Sequence, residues 1–105
     1  MIIKPGTSIA GCRREILVAA ATIINPIFVS HGVDCVVTSG TEIVKHSVKR
    51  SAHYRGDALD FRSRDLNNIN KAQVLGELIK DLGTDFVVLL EKTHFHIHWA
   101  PVFRK

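Results

Sequence analysis

The sequence predicts an α+β fold, a single small domain with a central, mostly antiparallel sheet and flanking helices. Two segments with helical periodicity, Arg14 to Ile24 and Ile69 to Leu82, carry the α half of that expectation. Four short runs carry the β half: Val33 to Val37, Asp57 to Phe61, Asp85 to Leu90 and Thr93 to Trp99. The chain of 105 residues, 46% of them hydrophobic, is long enough to bury one core without a disulfide framework. One domain spanning residues 1–105 is expected, with no repeat, low-complexity tract or linker.

In the first helical segment Ile16, Leu17, Ala20 and Ile24 fall on one face, and Asn25-Pro26 supplies a stop because proline cannot continue the hydrogen-bond ladder. The run Val33 to Val37 lies between Gly32 and the Ser39-Gly40 turn signal and reads as a strand. Residues Thr41 to Tyr54 are polar, basic and without period, which predicts a loop. From Asp57 the pattern alternates, with Ala58 and Asp60 on one face of a strand and Leu59 and Phe61 on the other. A carboxylate on so apolar a strand needs a partner. The second helix presents Leu75, Leu78, Ile79 and Leu82, with Asn68 or Asn70 as N-cap and Gly83 past its end. Two strands close the domain ahead of Pro101.

Fourteen Lys and Arg against ten Asp and Glu give a net charge of +4, which favours anionic partners without choosing among them. The small basic clusters, Lys45 to Arg55, Arg62 to Arg64 and Arg104-Lys105, read first as solvated surface. No aromatic and basic residues interleave along a strand, so no nucleic-acid partner is expected. Cys12 and Cys35 have no metal-ribbon spacing and read as reduced, partly buried thiols, which leaves His, Asp and Glu to form any metal site. No apolar stretch is long enough to span a bilayer. Met1 to Cys12 lacks a long apolar segment, so the expectation is a cytoplasmic chain at synthesis that reaches any external target by release or export.

Three of the six histidines crowd into Thr93 to Trp99, where strict alternation puts His94, His96 and His98 on one face and Phe95, Ile97 and Trp99 on the other. Neutral imidazoles on a rigid strand are preorganised metal ligands, although the polar side of an edge strand offers the same pattern. A second element is Ser51-Ala52-His53-Tyr54-Arg55-Gly56-Asp57-Ala58-Leu59-Asp60. Gly56 allows a tight turn there, so that His53 and Asp60 can converge. Two histidines and one carboxylate are the ligand set of a catalytic zinc, with a fourth position left for water. His31 and His46 sit in no patterned element and read as surface or turn residues.

The string Ser51-x-His53-x-x-Gly56-x-Ala58-x-Asp60, followed by Glu91-x-x-His94-x-His96, resembles the zinc peptidases of the D-Ala-D-Ala carboxypeptidase and L-Ala-D-Glu endopeptidase group. The zinc-binding fold of hedgehog domains is similar. With Thr38-Ser39-Gly40 ahead of them, the matching segments run from Val33 to Pro101, most of the chain. The resemblance implies that His53, Asp60 and His96 bind Zn2+, with His94 and then His98 as alternatives to His96. It implies that Glu91 is the general base toward the zinc-held water and that His94 stabilises the tetrahedral intermediate. The family's substrate-binding arginine has no counterpart in Ser39-Gly40-Thr41-Glu42, which leaves Arg50, with Lys45 and Lys49 behind it. Tyr54 is a candidate for orienting substrate.

The function so implied is a zinc metallopeptidase cutting peptidoglycan stem peptides, of the kind a phage or prophage lysis enzyme uses, with peptidoglycan or muropeptides as substrate. The alternative is a non-catalytic, zinc-stabilised binding module of the hedgehog-like fold, whose stability would depend on metal without any hydrolysis.

Overall fold

The computed structural model describes residues 1–42 and 52–101. Among these residues five strands form one sheet in the order β1-β2-β3-β5-β4, from β1 (Ile2–Ile3), β2 (Val36–Ser39), β3 (Ala58–Arg62), β4 (Phe86–Leu90) and β5 (His94–Trp99). Every pairing is antiparallel except β1 with β2. The α+β expectation therefore holds, with one short parallel strand at the edge that a two-residue apolar pair could not announce.

The first helical segment does not stop at Asn25-Pro26. It runs as α1 (Arg14–Ala19), a π-helical turn (Ala20–Ile24) and α2 (Asn25–Ser30), with Pro26 in the first turn of α2. Proline clashes with the carbonyl four residues back and offers no amide, so the ladder widens just upstream of it. The wide turn also keeps a spacing of four on one face, whereas an ordinary helix drifts about 40° per such step. Ile16, Ala20, Ile24 and Phe28 are all fully buried as a result.

The first expected strand, Val33 to Val37, begins three residues later than its apolar run. Val33 is still tied to the end of α2, its amide donating to the Phe28 carbonyl at 3.3 Å, and pairing starts only at Val36. In α3 (Asn68–Leu82) the N-cap is Asn67, whose side chain accepts from the Asn70 amide at 2.8 Å, in place of Asn68 or Asn70. The buried line of α3 is Val74, Leu78 and Leu82, while Ile79 is exposed. The helix is thus rotated toward Val74 from the face read in the sequence.

Both helical segments cover one side of the sheet. There Phe61 and Phe95 meet Phe28, whose ring centroid lies 6.3 Å from the first and 5.8 Å from the second, edge-on to Phe95. Leu59, Ile97, Val37 and Cys35 complete the core around them. Strand alternation then fixes the other face. Asp60 and Arg62 of β3 and His94, His96 and His98 of β5 point away from the helices. Among the described residues no helix is long and apolar enough to cross a membrane.

Candidate metal centre

The open face is built by register. Ala58 pairs with His98, Asp60 with His96 and Arg62 with His94. Directly opposed residues share a face, so the carboxylate and the histidine row meet on it.

His53 reaches the same point from a turn. The Gly56 amide donates to the His53 carbonyl at 3.1 Å and the Asp57 amide to the Ala52 carbonyl at 2.9 Å, which brings the chain back into β3. Gly56 has a φ of +77°, and a Cβ there would lie 2.3 Å from the Gly11 carbonyl oxygen, so this position admits only glycine. Asp57 anchors the turn. Its buried carboxylate accepts from Arg13 Nε and from Arg55 Nε, the latter at 3.1 Å, while its carbonyl accepts from the Trp99 amide at 2.9 Å. Arg13 also lies 5.4 Å over the Trp99 ring at the end of β5, where Trp99 is half-buried and stands outside the core that Phe95 and Ile97 join from the same strand.

The resulting group is tight. Asp60 Oδ1 lies 3.2 Å from His53 Nε2 and 3.0 Å from His96 Nδ1, and one ligand atom from each of the three residues falls within 4.8 Å of the other two. His94 Nε2 lies 3.5 Å from Asp60 Oδ2, and His98 Nδ1 lies 2.9 Å from His96 Nε2. The expected ligands His53, Asp60 and His96 are brought together, with His94 and His98 on either side of His96.

Each member is held from behind. His53 Nδ1 donates to the Gly40 carbonyl at 3.0 Å, which leaves Nε2 as the nitrogen aimed at Asp60. Gly40 sits in a turn fastened by Glu42, whose carboxylate accepts from the Gly40 amide at 2.7 Å, the Ser8 amide at 3.1 Å and the Ser39 hydroxyl. Glu42 therefore occupies, as a brace, the turn in which no arginine was found. The Ser39-x-x-Glu42 spacing, which matches a capping box, was the available sequence signal for it. Burial raises the Glu42 carboxyl, but these hydrogen bonds outweigh it and the net shift is downward.

The same opposition governs the centre. Burial disfavours the Asp60 carboxylate, yet the hydrogen bonds from His53 and His96 hold its pKa at about 2. Burial lowers His53, and its bond to Asp60 reverses this into a net rise. His98 is lowered, first by burial and then by the neighbouring His96 and Arg55. An ionised carboxylate at neutral pH facing two imidazole nitrogens is a donor set that fits a divalent cation.

The remaining site residues lie differently. Glu91 is exposed in the β4–β5 hairpin opposite His94, its amide donating to the His94 carbonyl at 2.8 Å, and its carboxylate makes no hydrogen bond or ion pair with a side chain among the described residues. Tyr54 is half-buried in the turn that carries His53. Arg50, with Lys45, His46, Lys49 and Ser51, lies outside the described residues. His31 ends α2 and lies with Nε2 2.6 Å from Glu77, away from the centre. The Asp57 anchor was not legible beforehand, because its bonds to Arg13 and Trp99 join positions far apart in sequence.

Fold and site together define a small α+β domain with a two-histidine, one-carboxylate group that could hold a metal ion. Comparison with known proteins finds a similarity to the Sonic hedgehog protein of Xenopus laevis, 31% identical over 85 residues that make up 81% of this chain. The chain spans 18% of the length of that protein. No family model and no solved structure matches the chain.

Proposed function

We propose that the chain is a zinc metallopeptidase of the endolysin type that hydrolyses peptidoglycan stem peptides, at a D-Ala-D-Ala or an L-Ala-D-Glu bond. One observation carries the reading: Asp60 Oδ1 stands between His53 Nε2 and His96 Nδ1 at hydrogen-bonding distance from both. The peptidase part rests on the resemblance of the Ser51 to Asp60 and Glu91 to His96 strings. In this reading His53, Asp60 and His96 hold Zn2+, which when bound supplies Lewis acidity toward a water molecule and a substrate carbonyl. Asp60 stays ionised across the neutral range and keeps both imidazoles in place. His94, the next residue along the open face, stabilises negative charge on the carbonyl oxygen of the substrate. Glu91, opposite it in the hairpin, takes the proton of the attacking water. Arg50 and Tyr54 orient the peptide.

Incubating the protein with muropeptides, with and without chelator, and weighing the products tests this directly. Loss of one alanine identifies a carboxypeptidase, and scission between L-Ala and D-Glu identifies an endopeptidase. Glu91→Ala is expected to keep zinc and lose turnover by about a hundredfold or more. Full activity in that variant removes the assignment of the base.

The position of Glu91 favours one other reading. Its carboxylate is exposed and makes no hydrogen bond or ion pair with the centre among the described residues. A non-catalytic, metal-stabilised binding module needs no such base, and the similarity to Sonic hedgehog protein is compatible with it. That reading predicts a thermal midpoint raised by metal and intact muropeptides.

A further inference from the structure

Beyond His94, on the same side of the sheet, lies a cavity of about 440 Å³ lined by Lys4, Arg62, Arg64, Lys71 and Lys92, with Val36, Thr38 and Thr93 completing it. We propose that this cavity binds a small ligand bearing two or more negative charges, of the phosphate or dicarboxylate class.

Five of the fourteen Lys and Arg of the chain converge on one hollow that no acidic side chain lines among the described residues. Arg62 is partly neutralised by Asp65, with Nη2 at 2.7 Å and Nε at 3.0 Å from Oδ2. Lys4, Arg64, Lys71 and Lys92 have no carboxylate within ion-pair distance among the described residues. Ordinary surface cations are interspersed with acids, whereas four uncompensated ones around a concavity repel one another and focus a positive potential into it.

The five cations come from five places in the chain: after β1, the end of β3, the loop behind it, the first turn of α3 and the β4–β5 hairpin. A charge run in sequence would not do this. Arg62 to Arg64 is the only part visible as a cluster beforehand, and the fold adds three lysines to it. The volume lies within the range of small-molecule sites, about 300–1,000 Å³. Arg62 is two residues from Asp60 on the same face of β3, about 7 Å along the strand, so the cavity adjoins the metal centre without sharing its ligands.

The inference does not rest on the hydrolytic reading and is tested on metal-free protein. Inorganic phosphate and glutarate are titrated separately into wild type, Arg64→Gln, Lys92→Gln and the control Lys80→Gln, following amide shifts by NMR, which also report that each variant is folded. Saturable binding of either probe at up to millimolar concentration is expected, with shifts centred on Thr38, Arg62 and Thr93. Weakening of about tenfold or more is expected in each cavity variant and none in Lys80→Gln. Which probe binds more tightly tells phosphate from dicarboxylate. Absence of saturable binding for both probes, or cavity variants that bind as wild type does, overturns the proposal.

Discussion

Asp60 and His96 face each other as Cα partners across β3 and β5, and their side chains meet at 3.0 Å between Oδ1 and Nδ1. The pairing register of two core strands therefore sets the geometry of the centre. On the other face the same two strands bury Leu59, Phe61, Phe95 and Ile97. A slip of one residue would expose that apolar set and withdraw the carboxylate together, so the core protects the site.

Removing the Asp60 charge should change stability in a pH-dependent way. The folded carboxyl is held at about 2, below its ordinary value of 3.8, so its contribution is present above 3.8 and lost as pH falls through about 2. His53 is raised above its ordinary 6.5, so the same interaction seen from its side is full below 6.5 and lost as pH rises through the raised value. The lowered His98 acts in the opposite sense near neutrality, through burial first. In metal-free protein the melting difference between wild type and Asp60→Asn should be largest near pH 5 and shrink on both sides. A difference that does not vary with pH would contradict this coupling.

Gly40→Ala should damage metal binding from outside the ligand set. An added Cβ would lie 2.1 Å from the Ser8 carbonyl oxygen, so the turn must move, and the Gly40 carbonyl that fixes His53 moves with it. A loss of about 10–100-fold in zinc affinity is expected, the range found when partners behind metal ligands are disturbed. Competition against a chromogenic chelator measures it, and unchanged affinity would show that His53 needs no such support.

Asp57→Ala should destabilise the fold by about 1.5–3 kcal/mol, the loss expected for charge-assisted hydrogen bonds. The larger penalty of an orphaned buried charge does not apply, because the Arg13 and Arg55 side chains are 42% and 50% exposed and can rehydrate. Urea denaturation of metal-free wild type and variant gives the difference.

The Cys35 thiol is 1% exposed, and burial pushes its pKa up to about 12. Alkylation by iodoacetamide at pH 7.5 should therefore be slow in the native state and fast in urea. Rapid native labelling would mean that the edge formed by β1 and β2 opens readily.

Alternation made much of the centre legible in the sequence. A strand with Ala58 and Asp60 on one side, and another with His94, His96 and His98, can expose those faces only if Leu59, Phe61, Phe95 and Ile97 are buried. Periodicity located both helical segments but misjudged Pro26, since whether proline ends a helix or is absorbed by a wider turn depends on what the continuation buries. Phe28, fully buried between Phe61 and Phe95, is that reward. The Asp57 anchor and the five-cation cavity were out of reach, because each joins residues that only the finished topology brings together, whereas the Glu42 brace showed in the sequence only as the Ser39-x-x-Glu42 spacing.

Zinc titration of the metal-free protein, read by calorimetry and by thermal midpoint, tests the metal centre most directly. The account predicts one equivalent bound, a raised midpoint, and loss of both in His53→Ala and in Asp60→Asn. Binding of equal affinity and stoichiometry in those variants, or no binding by the folded wild type, would contradict it.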